Sequence, residues 1–292
     1  MNIARLFGLK ANKKKPSWLP SMLNLESLEL LMEARIRHET SGIPDRDRRR
    51  KAERRARKAI TAALEAVVLE IVAREKPSLV LEIGAHRAEF SRQAKLRSPD
   101  SSCIAFEGHP KVFERFAEEV KSASVDYRHL CISDARKELD FLVPVYMEQE
   151  MDNMGSIMPY NENLALENSK HETYKVAADT LDGFLGRDAK KSKLIWIDVE
   201  GAAGVILQGA KKSLANCVAV YLEVETETRW EGQSSLDTDI HDILTKRGFV
   251  PVLRDVQRMR WQYNVLYVNE ALAKKQYLLN LGRQYMTDSG PK

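Results

Sequence analysis

Val80-Leu81-Glu82-Ile83-Gly84-Ala85-His86-Arg87-Ala88-Glu89-Phe90-Ser91 is the stretch that decides the fold. An apolar run broken by one acid ends at a glycine, and an amphipathic segment opens soon after it. That is a buried parallel strand turning into a helix, the place where open α/β sheets bind nucleotide-type ligands. The glycine lets the backbone approach a ligand, and free N–H groups at the helix start favour a carboxylate or phosphate. A dinucleotide fingerprint, G-x-G-x-x-G, needs glycine where His86 stands, so nicotinamide dinucleotides are disfavoured. An acid just before the glycine, Glu82, suits a ligand with a cationic end, such as S-adenosylmethionine with its ammonium and sulfonium.

Working outward, the same grammar repeats. Strands are expected at 79–83, 103–106, 125–130, 194–199 and 218–224, with helices at 89–96, 111–121, 180–185 and 205–214. Their alternation predicts an α/β domain with a mainly parallel sheet. A helix at 236–246 precedes two strand-like runs, 249–254 and 261–268, whose short link predicts a C-terminal antiparallel hairpin. Upstream, residues 1–76 read as a basic N-terminal helical extension, with helices at 25–37 and 45–73 separated by the breaker Ser41-Gly42-Ile43-Pro44. Residues 77–292 form the α/β domain. Residues 146–174 are polar, without strong periodicity, and are expected as a long loop.

Composition bounds the reading. With 292 residues, 43% of them apolar, 14 Gly and 10 Pro, the chain can bury a sizeable core and is neither collagenous nor wholly disordered. Three scattered cysteines give no disulfide framework and no C-x-x-C pair, which fits a reducing, cytoplasmic setting. No signal-like or membrane-spanning apolar run is present in the sequence. The net charge of +4 is local: residues 46–58 hold nine Lys or Arg against two acids, so the rest of the chain is net acidic.

Two further strand ends carry acids. In Ala105-Phe106-Glu107-Gly108-His109-Pro110, Glu107 closes the next strand, where a carboxylate can accept both hydroxyls of a ribose. Acids at successive strand ends, Glu82 and Glu107, together fit an adenosyl group. In Leu194-Ile195-Trp196-Ile197-Asp198-Val199-Glu200-Gly201, strand alternation puts Asp198 and Glu200 on one face at the carboxyl edge.

Glu82-Ile83-Gly84-Ala85-His86, Phe106-Glu107-Gly108-His109-Pro110, Ile132-Ser133-Asp134, Gly155-Ser156, Thr180-Leu181-Asp182, Ile197-Asp198-Val199-Glu200-Gly201 and Gly209-Ala210 follow one another in an order that resembles the FkbM-type methyltransferases, over roughly residues 80–268. The resemblance implies a class I, Rossmann-like fold with a seven-stranded sheet, S-adenosylmethionine as cofactor, and O-methylation of hydroxyls on sugars, glycans or secondary metabolites. It implies a cofactor site of Glu82, Gly84, Ala85, His86, Glu107 and Gly108, with Ser133 and Asp134 beside the adenine and Asp198 near the methyl. Asp198 and Glu200 become the catalytic pair, with His171 from the long loop as a reserve base; no metal is included. The chain departs from the family at His86 (usually Asn), Ala88 (Gly), Trp196 (Lys) and Ala203 (Glu).

Polar side chains at Asp152, Asn153, Ser156, Asn161 and Asn163, interleaved with Tyr160, suit a carbohydrate acceptor. Trp230 and Trp261 are expected to pack or, failing that, to line the acceptor cleft. Two other classes stay open: a binding protein of this fold without turnover, and a nucleic-acid methyltransferase or binder using the basic helix. The latter lacks the Asn/Asp-Pro-Pro-aromatic tetrad of amino-methylating enzymes. The basic stretch also admits peripheral contact with an anionic membrane, helped by Ile3, Leu6, Phe7 and Leu9 among Arg5 and Lys10.

Overall fold

Period-two alternation of apolar side chains builds a sheet buried on both faces. Val80, Leu194, Trp196, Ala219 and Tyr221 turn to one core, while Leu81, Ile83, Ile195, Ile197, Val220 and Leu222 turn to the other. The structure is a computed structural model describing residues 25–161 and 170–287. The apolar pattern at 3–9 and Asn163 lie outside the described residues.

In chain order the elements are α1 (Leu25–Thr40), α2 (Arg46–Glu75), β1 (Leu79–Ile83), α3 (Glu89–Arg97), β2 (Ser102–Glu107), α4 (Pro110–Ser122), β3 (Asp126–His129), β4 (Cys131–Ser133), β5 (Lys137–Tyr146) and β6 (Gln149–Glu150). There follow β7 (Lys170–Thr180), α5 (Leu181–Leu185), β8 (Lys193–Ile197), α6 (Ala203–Gln208), β9 (Cys217–Glu225), α7 (Asp237–Thr245), β10 (Phe249–Arg254), β11 (Gln262–Asn269), α8 (Glu270–Ala273) and α9 (Gln276–Thr287).

The main sheet has seven strands in the order β10-β11-β9-β8-β1-β2-β3, with β11 antiparallel to both of its neighbours and the other pairs parallel. This is the expected class I methyltransferase sheet with its C-terminal hairpin. Because the order reverses between β1 and β8, a crevice opens where their carboxyl ends diverge.

Helices α1 and α2 bury Met32, Ile36, Ile60, Leu64, Val68 and Ile71 in the same core as Val80 and Trp196. Helix α2 starts on an Asp45 cap, whose carboxylate accepts the Arg48 N–H at 2.7 Å, and closes on Lys76 in the left-handed conformation. It ends beside the amino edge of β1. Higher up, Thr61 donates to Asp255 at 2.7 Å and Arg57 donates to the Val256 and Gln257 carbonyls, just past the carboxyl end of β10.

Residues 146, 149–150 and 170–174 of the expected loop 146–174 are strand instead. They belong to a second sheet, β4-β7-β5-β6, in which β5 and β7 pair antiparallel from Lys137↔Ala178 to Val145↔Lys170. Only one narrow face of this sheet is dry, with Cys131, Phe141, Val143, Val176 and Ala178 packed together, so the apolar signal is too sparse for periodicity to betray two long strands.

Candidate functional site

At the carboxyl ends of β1 and β8 the chain closes tightly on itself. The Asp198 N–H donates to the Ile83 carbonyl at 2.9 Å. Gly84 has φ +80°, and a Cβ placed on it would lie 1.8 Å from the Asp198 carbonyl oxygen. Any side chain here meets both a strained backbone, costing about 1–2 kcal/mol, and a collision with main chain. Gly84→Ala is therefore expected to lower the melting temperature by several degrees or prevent folding; a variant as stable as the parent would show that this turn can relax.

Above that turn lies a cavity of about 340 Å³, lined by Gly84, His86, Glu107, Gly108, Asp198 and Glu200, by Phe106, Leu130, Phe141 and Ile157, and by Asp152, Asn153, Glu223 and Gln262. Glu107 is 6% exposed, and its two oxygens accept the N–H groups of His86 at 2.7 Å and His109 at 2.6 Å. A carboxylate has about four acceptor positions, so two remain for a ligand diol. The His86 backbone, at φ 46°, is further held by the Tyr127 hydroxyl on its carbonyl. Its Nε2 has no hydrogen-bond partner and lies 3.7 Å from Asp152 Oδ1.

Across the cavity the acids crowd. Asp198 opens onto the cavity but is otherwise surrounded by protein, and removal from bulk water raises its pKa. Burial, helped by Asp198 and Glu225, pushes Glu200 up to about 8. Glu223 is 8% exposed; one of its oxygens accepts the Gln257 and Gln262 amides, each at 2.9 Å, and burial with the Asp198 and Glu200 charges holds its pKa well above the usual range. Glu225 accepts from the Gly201 N–H at 2.9 Å and from Gln233 at 3.1 Å, with burial raising it to about 7. Glu65 of α2, also raised to about 7 by burial, feels the Asp198 charge from the helical side. No Lys or Arg among the described residues lines the cavity.

These shifts fix a sign. Burial likewise raises Glu107 to about 7 from an ordinary 4.5. Between the unfolded and folded values the native protein holds protons that the unfolded chain has released, so this contribution to stability is complete below about pH 4.5 and lost as pH rises through 7 to 8. The ligand-free protein is expected to melt several degrees lower at the upper end of that window than near pH 5. A melting temperature that climbs across the window would contradict the placement of these carboxylates.

Some residues marked by the sequence lie elsewhere. Glu82 has the strand parity of Val80, pointing beneath α3, where its carboxylate accepts the Ser91 N–H at 2.7 Å; it holds the helix start and does not line the cavity. Ala85 is buried behind the loop, again off the lining. Ser133 is fully buried with its hydroxyl on Asp134, which in turn binds Lys137 at 2.8 Å; the neighbours Leu130, Cys131 and Ile132 line the cavity instead. His171 sits on the exposed edge of β7 opposite Pro144, away from the cavity, because its segment is a strand and not the expected loop.

Glu223, Gln262 and the wall residue Phe141 were not marked by sequence reasoning. Glu223 had a signal, an acid near the carboxyl end of an expected strand, like Glu107. Trp196, a departure from the family pattern, is sandwiched between Phe90 and Tyr221 at ring distances of 4.3 and 3.8 Å, and so belongs to the core. Trp230 packs over Gly201 and against Tyr160, and Trp261 lies under the Arg229 guanidinium. Among the described residues no group of three or more His, Cys, Asp or Glu could hold a metal ion.

The model of the methyltransferase FkbM domain matches residues 82–251, which spans β1 to β10 and every acid of the cavity. The chain belongs to the FkbM methyltransferase family. Those residues form a domain of the S-adenosylmethionine-dependent methyltransferase fold, and S-adenosylmethionine is its cofactor. The FkbM-family chain is similar to Methyltransferase 1 of Beauveria bassiana, 29% identical over 147 residues that make up 45% of this chain and 58% of that protein. It is also similar to the 2-O-methyltransferase NoeI of Sinorhizobium fredii, 27% identical over 172 residues, 56% of this chain and 70% of that protein. It thus spans little more than half the length of the first relative and more of the second. Among solved structures, the B. subtilis M1A22 tRNA methyltransferase TrmK is 15% identical, with a TM-score of 0.36, and the match covers 69% of this chain and 64% of that one.

The residues present fit this cofactor. Glu107 keeps two acceptor positions for ribose hydroxyls, Gly84 and Gly108 line the cavity without a side chain, and the carboxylates around Asp198 suit a cationic sulfonium and ammonium.

Proposed function

We propose that the protein methylates a hydroxyl group, on a sugar or glycan. The observation that carries this reading is the placement of three carboxylates, Asp198, Glu200 and Glu223, on one wall of the cavity whose other end holds Glu107. S-adenosylmethionine, when bound, supplies a methyl group on a sulfonium, for which alignment with the acceptor oxygen is the main requirement. Glu107, Gly84, His86 and Gly108 would hold the adenosyl end. Asp198 orients the acceptor hydroxyl and takes its proton; desolvation by the surrounding protein raises its proton affinity above the usual carboxylate range, as that task requires. Asp152 and Asn153, on the second sheet's side of the cavity, offer hydrogen-bonding edges to a polyhydroxylated acceptor.

The lining, rich in acids and without Lys or Arg among the described residues, favours a neutral or cationic reacting end over an anionic one. The similarity to NoeI, named as a 2-O-methyltransferase, supports a hydroxyl acceptor. The test is a panel of free and nucleotide-linked sugars and oligosaccharides incubated with S-adenosylmethionine, read by S-adenosylhomocysteine release and by mass. A methylated neutral glycan is expected. Cofactor binding with no turnover on any hydroxylated acceptor would favour the non-catalytic reading.

A further inference from the structure

The first half of α2 carries more positive charge than its Asp45 cap, Asp47 and Glu53 offset. Arg46 with Arg50, Arg50 with Arg54, Lys51 with Arg55, and Arg54 with Lys58 are like-charged pairs four residues apart, and Arg46, Arg48 and Arg49 crowd the positive end of the helix dipole. Each arrangement opposes helix formation, whereas an ordinary solvated face intersperses signs. Arg46, Arg48, Arg50, Lys51, Arg54 and Arg55 are all exposed, and none has an ion-pair partner among the described residues; Arg57, further in, is paired with Glu33 at 2.8 Å.

The fold sets where this charge stands. Helix α2 finishes at the amino edge of the sheet, and Thr61 and Arg57 touch residues 255–257 at the carboxyl edge. Residues 46–55 therefore continue past that edge, at about 1.5 Å per residue, as a post roughly 15 Å tall. The same edge carries the cavity, and the segment between them joins the two: Gln257 donates to Glu223 in the cavity wall, while Arg258, Met259 and Arg260 are exposed beside the post. Met259 is 44% exposed, an apolar side chain between two cations.

We propose that this post and the 258–260 segment dock the protein on an anionic phospholipid surface, with the cavity mouth facing it. Charge complementarity names the occupant: a dense basic face with an interleaved exposed apolar side chain matches an anionic lipid interface. The charge is segregated, since the cavity itself is acidic and no Lys or Arg among the described residues lines it. Anionic headgroups are thus held outside while an uncharged acceptor group attached to or near the bilayer enters. The proposal stands apart from the choice of acceptor.

The experiment is flotation of the full chain with phosphatidylcholine vesicles, and with the same vesicles containing phosphatidylglycerol, in low and high salt. Cofactor binding is measured by calorimetry on each sample. Binding to the anionic vesicles alone, released by salt, is expected. A variant carrying Arg48→Glu, Arg50→Glu, Arg54→Glu and Arg55→Glu should bind S-adenosylmethionine as the parent does. Its partitioning should fall on the order of a hundredfold or more, since each basic residue near such a surface contributes about fivefold. A parent that stays in solution with both vesicles, or a variant that floats as well as the parent, overturns the proposal. So does salt-sensitive binding of an RNA oligonucleotide without flotation. Should the variant fail to bind cofactor, the parent's own lipid and salt dependence decides the question. Loss of turnover in solution would bear on the methyl-transfer reading alone.

Discussion

Glu107→Ala is expected to weaken S-adenosylmethionine binding by on the order of a hundredfold while leaving the protein folded. The carboxylate does two things at once: it anchors the His86 and His109 amides at 2.7 and 2.6 Å, and it keeps acceptor positions for the ligand diol. Hydrogen bonds to a charged group are each worth about 1.5–3 kcal/mol, so losing the ligand-side pair accounts for that drop. Glu107→Gln retains one carbonyl acceptor and should fall between. Calorimetric titration checks both, and an alanine variant with parental affinity would remove Glu107 from the site.

The second large effect falls on turnover. Asp198→Ala should reduce methyl transfer by about a hundredfold to ten-thousandfold, the usual range for a general base, with a much smaller change in cofactor affinity. Because burial raises the pKa of Asp198, parental activity should also rise with pH as that carboxyl loses its proton, and the variant should lose this limb of the profile. Glu223→Gln offers the contrast. It preserves a polar side chain beside Gln257 and Gln262, and because Glu223 already holds its proton where Asp198 titrates, the rising limb should stay at the parental pH. Turnover of Asp198→Ala within a few-fold of the parent would end the assignment of Asp198 as base.

The main sheet was legible because its strands are buried on both faces. The runs at 79–83 and 249–254 read as strands with the bounds they have in the structure, since short, mostly apolar stretches bordered by glycine, proline or polar turns leave few alternatives. The second sheet was not legible: β7 exposes Lys170, His171, Glu172 and Thr173 in succession, and only Val176 and Ala178 are buried. The sequence pattern therefore puts His171 on a loop near the site, whereas strand pairing carries it to the far end of β5.

The site was read in the same uneven way. Acids at strand ends, Glu107 and Asp198, face the cavity because the carboxyl edge of a parallel sheet is where such ends converge. Glu82 obeys the same sequence rule, but its parity turns it under α3, so it serves the loop from behind. The contribution of α2 was invisible in sequence, since nothing local connects Glu65 or Thr61 to residues nearly two hundred positions away; the link is made by tertiary packing of Thr61 on Asp255.

A crystal structure of the full chain with S-adenosylhomocysteine tests the central claim most directly. The adenosyl group is expected in the crevice between β1 and β8, its ribose hydroxyls on Glu107 and its sulfur end toward Asp198. Density for the ligand elsewhere, or a ribose that leaves Glu107 untouched, would contradict the account.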